Sequence, residues 1–204
     1  ADTLLQKKKP KENLIEAYPK ANFKSTNMVG FCDSLSYSTK DENLFLNNEP
    51  VIWLDEFQLT SDSIRILLKK DLIKMAFLNK NAFIVSEVDS NSFNQISGEN
   101  MKAYFQQNRL LNIEVIGNGE SIYYVEDEKK NEVLGVNKII CSNMNIIFKS
   151  RKIENINFYK KPDAILYPVS DINLNDLLLK GFKLRNKSNI ENVIKGKMEK
   201  YHLF

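Results

Sequence analysis

Residues 98–124 have the sequence GENMKAYFQQNRLLNIEVIGNGESIYY. Apolar and polar side chains alternate over Met101–Phe105 and again over Asn112–Ile116, with a polar turn between the two runs. Alternation with a period of two residues is typical of a β-strand that buries one face. A kink of small and polar residues at Gly119-Glu120 separates the second run from a third apolar run. The stretch therefore predicts two paired strands, a kink and a third strand.

The same order of elements occurs four times along the chain. The other copies are CDSLSYSTKDENLFLNNEPVIW (32–53), SDSIRILLKKDLIKMAFLNKNAFIV (61–85) and CSNMNIIFKSRKIENINFYKKPDAILY (141–167). The first apolar residues of the four copies are Leu35, Ile64, Met101 and Met144, spaced by 29, 37 and 43 positions. The other three kinks are expected at Glu49-Pro50, Asn81-Ala82 and Asp163-Ala164. Repetition at this period indicates a stack of similar β units, each burying its apolar face against the next.

These repeats predict an all-β fold, either a twisted β-jelly-roll or a two-sheet sandwich, with open sheet edges. The repeat domain is assigned to residues 29–185, and the polar residues 1–28 to a flexible lead-in or a first edge segment. Residues 186–204 form a C-terminal tail. Ile190, Val193, Ile194 and Met198 show helical spacing there, which indicates a short amphipathic helix within residues 186–201. Leu174, Leu177, Leu179, Phe182 and Leu184 are expected to form a last strand or to cover an edge.

The alternation assigns one set of apolar side chains to a single face of the stack. The candidates on this face for a lipid-binding groove are Ile64, Ile66, Leu68, Met75, Phe77, Met101, Ala103, Phe105, Ile113, Val115, Met144, Ile146, Phe148, Ile156 and Phe158, and Leu35, Leu44 and Leu46 extend the same face. The opposite face is assigned Arg65, Lys74, Lys102, Glu114, Asn145 and Asn157. The plainer interpretation is that the apolar face forms a solid core between two sheets. The alternative is that the sheets part slightly and hold acyl chains between them.

Composition excludes several classes of protein. Hydrophobic residues make up 43% of the 204 residues and charged residues 27%, which is unlike a disordered chain. A net charge of +3, without a basic stripe around the aromatic residues, argues against nucleic-acid binding. There is no run of about 18 apolar residues that could span a bilayer. Ala1–Pro10 lacks the apolar core of a signal peptide, which leaves export open.

Catalytic patterns are lacking as well. His202 is the only histidine, and no CxxC or HExxH motif occurs. Cys32 and Cys141 are expected to be buried free thiols rather than a disulfide. Gly117-Asn118-Gly119 is not followed by the helix of a dinucleotide-binding loop, so it indicates a kink or bulge in a strand. We therefore predict neither an enzymatic activity nor a cofactor or metal site.

Several of these segments resemble the OstA-like family of lipopolysaccharide-transport proteins, most closely the versions of Bacteroidetes-type bacteria. The resemblance spans about residues 29–185. The residues that carry it are GFCDSLSY (30–37), PVIW (50–53), QLTSDSI (58–64) and GNGESIYY (117–124). No single one of these motifs is a catalytic fingerprint; the specificity lies in their order along the chain.

The resemblance implies a β-jelly-roll in the periplasm or at the periplasmic face of the outer membrane. The implied role is to hold the acyl chains of lipopolysaccharide, or of another envelope lipid, in an apolar groove. It also implies edge-to-edge pairing with other β-jelly-roll transport proteins, or with a second copy, in a bridge across the periplasm.

Two other functions are consistent with the same residues. A solidly packed β-repeat could mediate contacts between proteins without any ligand. A carbohydrate-binding or carbohydrate-degrading β protein would need a row of exposed aromatic residues, for which Trp53, Tyr123 and Tyr124 are the only candidates.

Overall fold

The computed structural model describes residues 3–9, 12–25, 28–70, 72–127, 132–149, 152–171 and 177–200. Within these ranges the chain forms 15 β-strands and one α-helix, which confirms the predicted all-β class. The strands are β1 (Thr3–Lys9), β2 (Glu12–Tyr18), β3 (Ala21–Lys24), β4 (Met28–Cys32), β5 (Ser34–Ser38), β6 (Asn43–Asn47), β7 (Val51–Leu54), β8 (Phe57–Thr60), β9 (Ser63–Lys69), β10 (Leu72–Glu87), β11 (Phe93–Gln106), β12 (Arg109–Asp127), β13 (Glu132–Lys149), β14 (Lys152–Tyr159) and β15 (Asp163–Pro168). The helix α1 (Lys187–Lys200) lies where a helix was predicted. Leu174 and His202 lie outside the described residues.

All 15 strands belong to one antiparallel sheet that is folded over on itself. One half, which we call sheet I, has the strand order β1-β2-β5-β6-β9-β10-β11-β12-β13-β14. The other half, sheet II, consists of β3, β4, β7, β8 and β15 together with the other ends of β10 to β13. The four long strands, of 14 to 19 residues, run through both sheets and tie them together.

Where the chain passes from sheet I to sheet II, its backbone adopts the left-handed conformation. Every crossing from sheet I to sheet II contains residues with positive φ: Lys20 alone, and then the pairs Asn48 and Glu49, Lys80 and Asn81, Gly117 and Asn118, and Lys160 and Lys161. Positive φ at two successive residues is also what a type I′ turn requires, and its twist suits β-strands. Only glycine adopts this conformation without cost, and other residues lose roughly 1–2 kcal/mol each. The strand ladders on both sides therefore hold these non-glycine residues in the left-handed conformation. The four pairs lie one to three residues before the predicted kinks.

Asparagine side chains bind the backbone amides that the kinks and bulges leave without a strand partner. The Asn100 side chain accepts a hydrogen bond from the Lys80 amide at 3.1 Å. At the next kink Asn143 accepts from the Gly117 amide at 2.9 Å. Asn108 does the same for the amide of Ile73, beside a bulge in β10, at 2.7 Å. Since a buried unpaired amide is costly, these contacts explain why a folded-over sheet needs so many asparagines.

The structure shows what the four sequence repeats contain. Each repeat holds two strands of sheet I, the kink and one strand of sheet II; residues 32–53, for example, hold β5, β6 and β7. Each repeat is followed or preceded by a return strand of sheet II, such as β4 or β8, which the alternation did not reveal. Residues 1–28 were assigned to a flexible lead-in or a first edge segment. Within them β1, β2 and β3 form a further copy of the same unit and pair with β5 and β4.

The inner faces of the two sheets pack against each other in one apolar core. From sheet I, Leu46, Ile64 and Ile66 are fully buried in this core. From sheet II, Ile52 and Leu59 are fully buried in the same cluster. Burial of such side chains contributes roughly 1.5–3 kcal/mol each, so this layer is the main source of stability.

The outer face of sheet II is covered by the C-terminal part of the chain. Residues 177–186, which we call the strap, place Leu177, Leu179 and Phe182 against an apolar cluster around Phe83. Beside the strap, α1 packs Ile190 and Ile194 against Val29, Val51 and Trp53. The expected last strand after Pro168 is therefore a cover on a sheet face. Leu184 is exposed and does not take part.

Two buried glutamines hold the strap through its backbone. The Gln95 amide donates to the Leu177 carbonyl at 2.8 Å and accepts from the Leu179 N–H at 2.9 Å. Gln58 makes the same pair of bonds, both of 2.7 Å, with the Lys183 carbonyl and the Arg185 N–H. Each side-chain amide thus takes the place of a neighbouring strand.

Replacement of Gln95 by Leu should destabilise the protein by roughly 2–4 kcal/mol, because the Leu177 carbonyl and the Leu179 N–H would be buried without partners. Urea unfolding measures this loss. Gln106→Leu is the control, since Gln106 is exposed at the end of β11 and its replacement should change stability by less than about 0.5 kcal/mol. Equal losses for both variants would show that the strap does not depend on the Gln95 bonds.

Candidate functional site

The inner face of sheet I is apolar from β2 to β14. Residues directly opposite each other on neighbouring strands share a face, so the register defines continuous rows. One row consists of Ala17, Leu35, Leu46, Ile64, Leu78, Met101, Val115, Met144 and Phe158. The next consists of Ile15, Tyr37, Leu44, Ile66, Ala76, Ala103, Ile113, Ile146 and Ile156. These rows contain ten of the fifteen predicted groove residues.

Most of the predicted groove residues lie fully inside the closed core. The buried ones are Ile64, Ile66, Met101, Ala103, Phe105, Ile113, Val115, Met144, Ile146 and Phe148. Leu68, Ile156 and Phe158 are half-buried and pack against the same core from its margins. The structure thus brings thirteen candidates together on one surface. Their binding of lipid stays a prediction.

The assignment of Met75 and Phe77 to this face was wrong. A bulge between Ile73 and Met75 shifts the register of β10, so that Ile73, Ala76 and Leu78 point inward. An extra residue in a strand exchanges the faces of everything beyond it. Phe77 consequently lies on the outer face, where the Arg65 guanidinium sits 4.1 Å from its ring centre. The sequence around the bulge, LIKMAFLNK, has apolar residues at both odd and even positions, so it does not reveal where the bulge lies.

A cavity of about 230 Å³ opens between the sheets at one end of the core. Its floor is apolar and comes from both sheets, with Ile84 and Ile96 from sheet II and Ile153 from sheet I. Its rim is polar and includes the exposed residues Glu56 and Glu87. An apolar floor under a polar rim suits an amphiphile better than a sugar or a nucleotide.

Two aromatic rings separate this inter-sheet cavity from the rest of the core. Phe57 of sheet II and Phe148 of sheet I meet edge to face, with ring centres 5.4 Å apart. Such a pair contributes roughly 0.5–1.5 kcal/mol beyond the area that it buries. Phe148 is the one predicted groove residue that lines the cavity. Phe57, Ile84, Ile96 and Ile153 were not among the predicted groove residues. Phe57 lies on a short return strand outside the repeats, and Ile84 and Ile96 lie where β10 and β11 are buried on both faces and show no alternation.

The two thiols are buried and not bonded to each other, as expected. Burial raises the pKa of the Cys32 thiol to about 12, with a smaller contribution from the neighbouring Asp33. Burial also raises the pKa of Cys141. The Cys141 thiol donates to the Asn143 carbonyl at 3.2 Å, next to a kink. Both cysteines therefore act as small core residues and not as nucleophiles.

We expect Cys32 and Cys141 to resist alkylation by iodoacetamide at pH 8 in the folded protein. A raised pKa keeps each thiol protonated below that pKa, and the thiolate is the reacting form. Mass spectrometry after a timed reaction measures the modification, with protein unfolded in guanidinium as the control that should label fully. Rapid labelling of the folded protein would contradict the buried positions.

Other chemistry is not indicated in the part of the chain that the structure describes. No three histidine, cysteine or carboxylate side chains come close enough there to hold a metal ion. Among the same residues, no helix is both long enough and apolar enough to cross a membrane.

Comparisons with known proteins identify the fold. No protein-family model and no curated protein matches the sequence. A solved structure does match: LptH from Pseudomonas aeruginosa, described as the LptA-homologous periplasmic component of the conserved lipopolysaccharide transport device. The chain has the fold of LptH. The match covers 69% of this chain and 95% of LptH, with a TM-score of 0.54 and 11% sequence identity. At that identity the similarity establishes the jelly-roll architecture, as the sequence predicted, and no individual residue role.

Proposed function

We propose that this protein is an OstA-like periplasmic module that binds lipopolysaccharide, or a related envelope lipid, between its two sheets and passes it along a bridge of similar domains. The observation that carries the proposal is the pair of uninterrupted apolar rows on the inner face of sheet I. A fold shared with LptH, a component of a lipopolysaccharide transport device, supports it. The module is not an enzyme.

The C-terminal end of the folded sheet supports a role in a bridge. Leu166 of β15 pairs with Asn137, which pairs with Tyr123 at the inter-sheet cavity, so all three share the inner face. Leu166 is nevertheless 64% exposed. The inner face of sheet II thus extends to the edge strand β15, which pairs with β13 on one side only. A second jelly-roll, whether another transport protein or a copy of this one, could pair with that edge and continue the surface.

A buried hydroxyl on the inner face of sheet II also favours an amphiphilic ligand. Ser121 lies between Ile96 and Ile139 and is 1% exposed. Its Oγ atom has no hydrogen-bond partner among the described residues. An unmet buried hydroxyl costs roughly 1–3 kcal/mol. An ester or hydroxyl group at the head of an acyl chain would satisfy it.

Binding requires the sheets to part. The inter-sheet cavity, at about 230 Å³, is smaller than the roughly 300–1,000 Å³ of ordinary ligand sites. Each side chain that leaves the opposite sheet would gain an acyl chain in exchange, so the apolar contacts of the protein are largely preserved. The lipid gains about 0.8 kcal/mol for each methylene removed from water. The long strands β10 to β13, which run through both sheets, keep the sheets joined while the open end of the cavity widens.

The same small cavity supports a second candidate function, a solid β-repeat that only joins other proteins. In that case the thirteen inward-facing residues would be structural core, and the edges would be the only functional surfaces. The two functions differ in whether lipid enters between the sheets, which mutations at the cavity can decide.

Replacement of Ile153 by Glu should abolish lipid binding without unfolding the protein. Ile153 is half-buried on the cavity floor, where a carboxylate would lose water against an acyl chain. We expect at least a roughly tenfold weaker affinity for lipopolysaccharide, measured by native mass spectrometry. Ile116→Glu is the matched control, because Ile116 is 39% exposed on the outer face of the same sheet and should tolerate the change.

Circular dichroism melting must show that both glutamate variants stay folded. Binding that is equally strong in wild type and Ile153→Glu would contradict an inter-sheet lipid site. Wild-type protein that takes up no lipopolysaccharide at all would leave the structural β-repeat as the function.

Ser121→Ala should separate stability from binding. Removal of the unmet hydroxyl should stabilise the lipid-free protein by about 1 kcal/mol in urea unfolding. The same change should weaken lipid binding severalfold, because the ligand loses a partner. A variant that is less stable than wild type would show that the hydroxyl is already satisfied.

A further inference from the structure

The C-terminal cover, residues 177–196, is strongly basic. It contains Lys180, Lys183, Arg185, Lys187 and Lys195 against the single acidic residue Glu191, a net charge of +4. Since the whole chain carries +3, the remaining residues sum to −1. The cover therefore carries an excess of positive charge on the outside of sheet II, and the sequence holds another dense basic run at Lys7–Lys9 with Lys11.

Contacts with the body leave most of this charge unopposed. The one carboxylate of the cover, Glu191, is paired with Lys24 of β3 at 3.1 Å, so it neutralises a lysine of the body. Lys180, Lys183 and Arg185 are exposed, and no ion pair involves them among the described residues.

Apolar side chains stand among these cations on the solvent side. Leu178 is 47% exposed, Leu184 53% and Val193 45%. Their neighbours Leu177, Leu179 and Ile194 point the other way and hold the cover on sheet II. One group of apolar side chains in this segment thus packs on the protein. A second group, among lysine and arginine side chains, faces solvent.

The cover is held rigidly enough to act as a surface. The Gln58 and Gln95 bonds fix the strap backbone at four positions, and α1 continues it. A preformed surface does not lose the ordering entropy that a disordered basic tail loses on binding.

We propose that the strap and α1 form a docking surface for an anionic lipid bilayer. Basic side chains beside such a bilayer are attracted by its surface potential, each contributing roughly fivefold to affinity. Exposed leucine and valine side chains among them enter the boundary between headgroups and acyl chains. Docking on this outer face leaves the inter-sheet cavity unobstructed, and the proposal does not depend on what the cavity binds.

Carboxylates on the other side of a neighbouring cleft offer the cations a competing partner. This cleft runs between the strap and the kinks, and it is lined by Glu49, Asp62, Glu99 and Glu120 opposite Lys180, Lys183 and Arg185. If these three cations turned into the cleft, the cover would lose most of the positive charge that it presents to a membrane. The two arrangements predict opposite outcomes with vesicles.

The test is flotation of the full chain with vesicles of phosphatidylcholine alone and of phosphatidylcholine mixed with phosphatidylglycerol, in low and in high salt. We expect binding to the mixed vesicles only, and its loss in high salt. The double variant Lys183→Glu and Arg185→Glu should weaken binding roughly 25-fold or more, because two favourable charges become repulsive. The strap bonds use only the backbone of these residues, so the variant should fold normally.

Lys69→Glu with Lys70→Glu is the matched control. It changes the net charge by the same amount at an exposed turn of sheet I, and it should bind almost as well as wild type. Equal binding to neutral vesicles, absence of binding, or equal losses in the two double variants would each overturn the proposal.

Discussion

The row of kinks between the two sheets is the constraint on which the rest of the structure depends. Each crossing from sheet I to sheet II puts non-glycine residues such as Lys80 and Lys160 into left-handed backbone, which the ladders on both sides stabilise. The kinks turn one wide antiparallel sheet into two facing layers with a single apolar interior. They also place amides where no strand can reach them, and asparagines such as Asn100 and Asn143 bind those amides.

The sequence predicts those parts of the structure in which apolar–polar alternation is present and recurs along the chain. Alternation and recurrence predicted the strands of sheet I from β5 onward, the kinks to within three residues and the fold class. The return strands, such as β8, are short and buried on both faces, so they carry no alternation to detect. The bulge in β10 cannot be detected from the sequence either, and the inserted residue places Met75 and Phe77 on the face opposite to the predicted one. Sequence therefore predicted the side of the core formed by sheet I well and the side formed by sheet II poorly.

The proposed transport function and the closed core are compatible because both depend on apolar contacts without directional bonds. Apolar side chains such as Ile66 and Ile113 are removed from water equally well by another side chain or by an acyl chain. The Phe57–Phe148 contact joins the sheets near the inter-sheet cavity and resists opening only weakly. The strap and α1 cover the outer face of sheet II and leave the inter-sheet cavity unobstructed.

The most direct test of this account is the distance across the mouth, measured by pulsed electron paramagnetic resonance between nitroxides at Glu56→Cys and Lys149→Cys. Both positions are exposed, one on each sheet beside the cavity, while Cys32 and Cys141 are buried. Addition of lipopolysaccharide should lengthen the distance, and the lipid-free polysaccharide should leave it unchanged. Stoichiometric binding of lipopolysaccharide with no change in the distance would contradict the claim that the sheets part to hold the acyl chains.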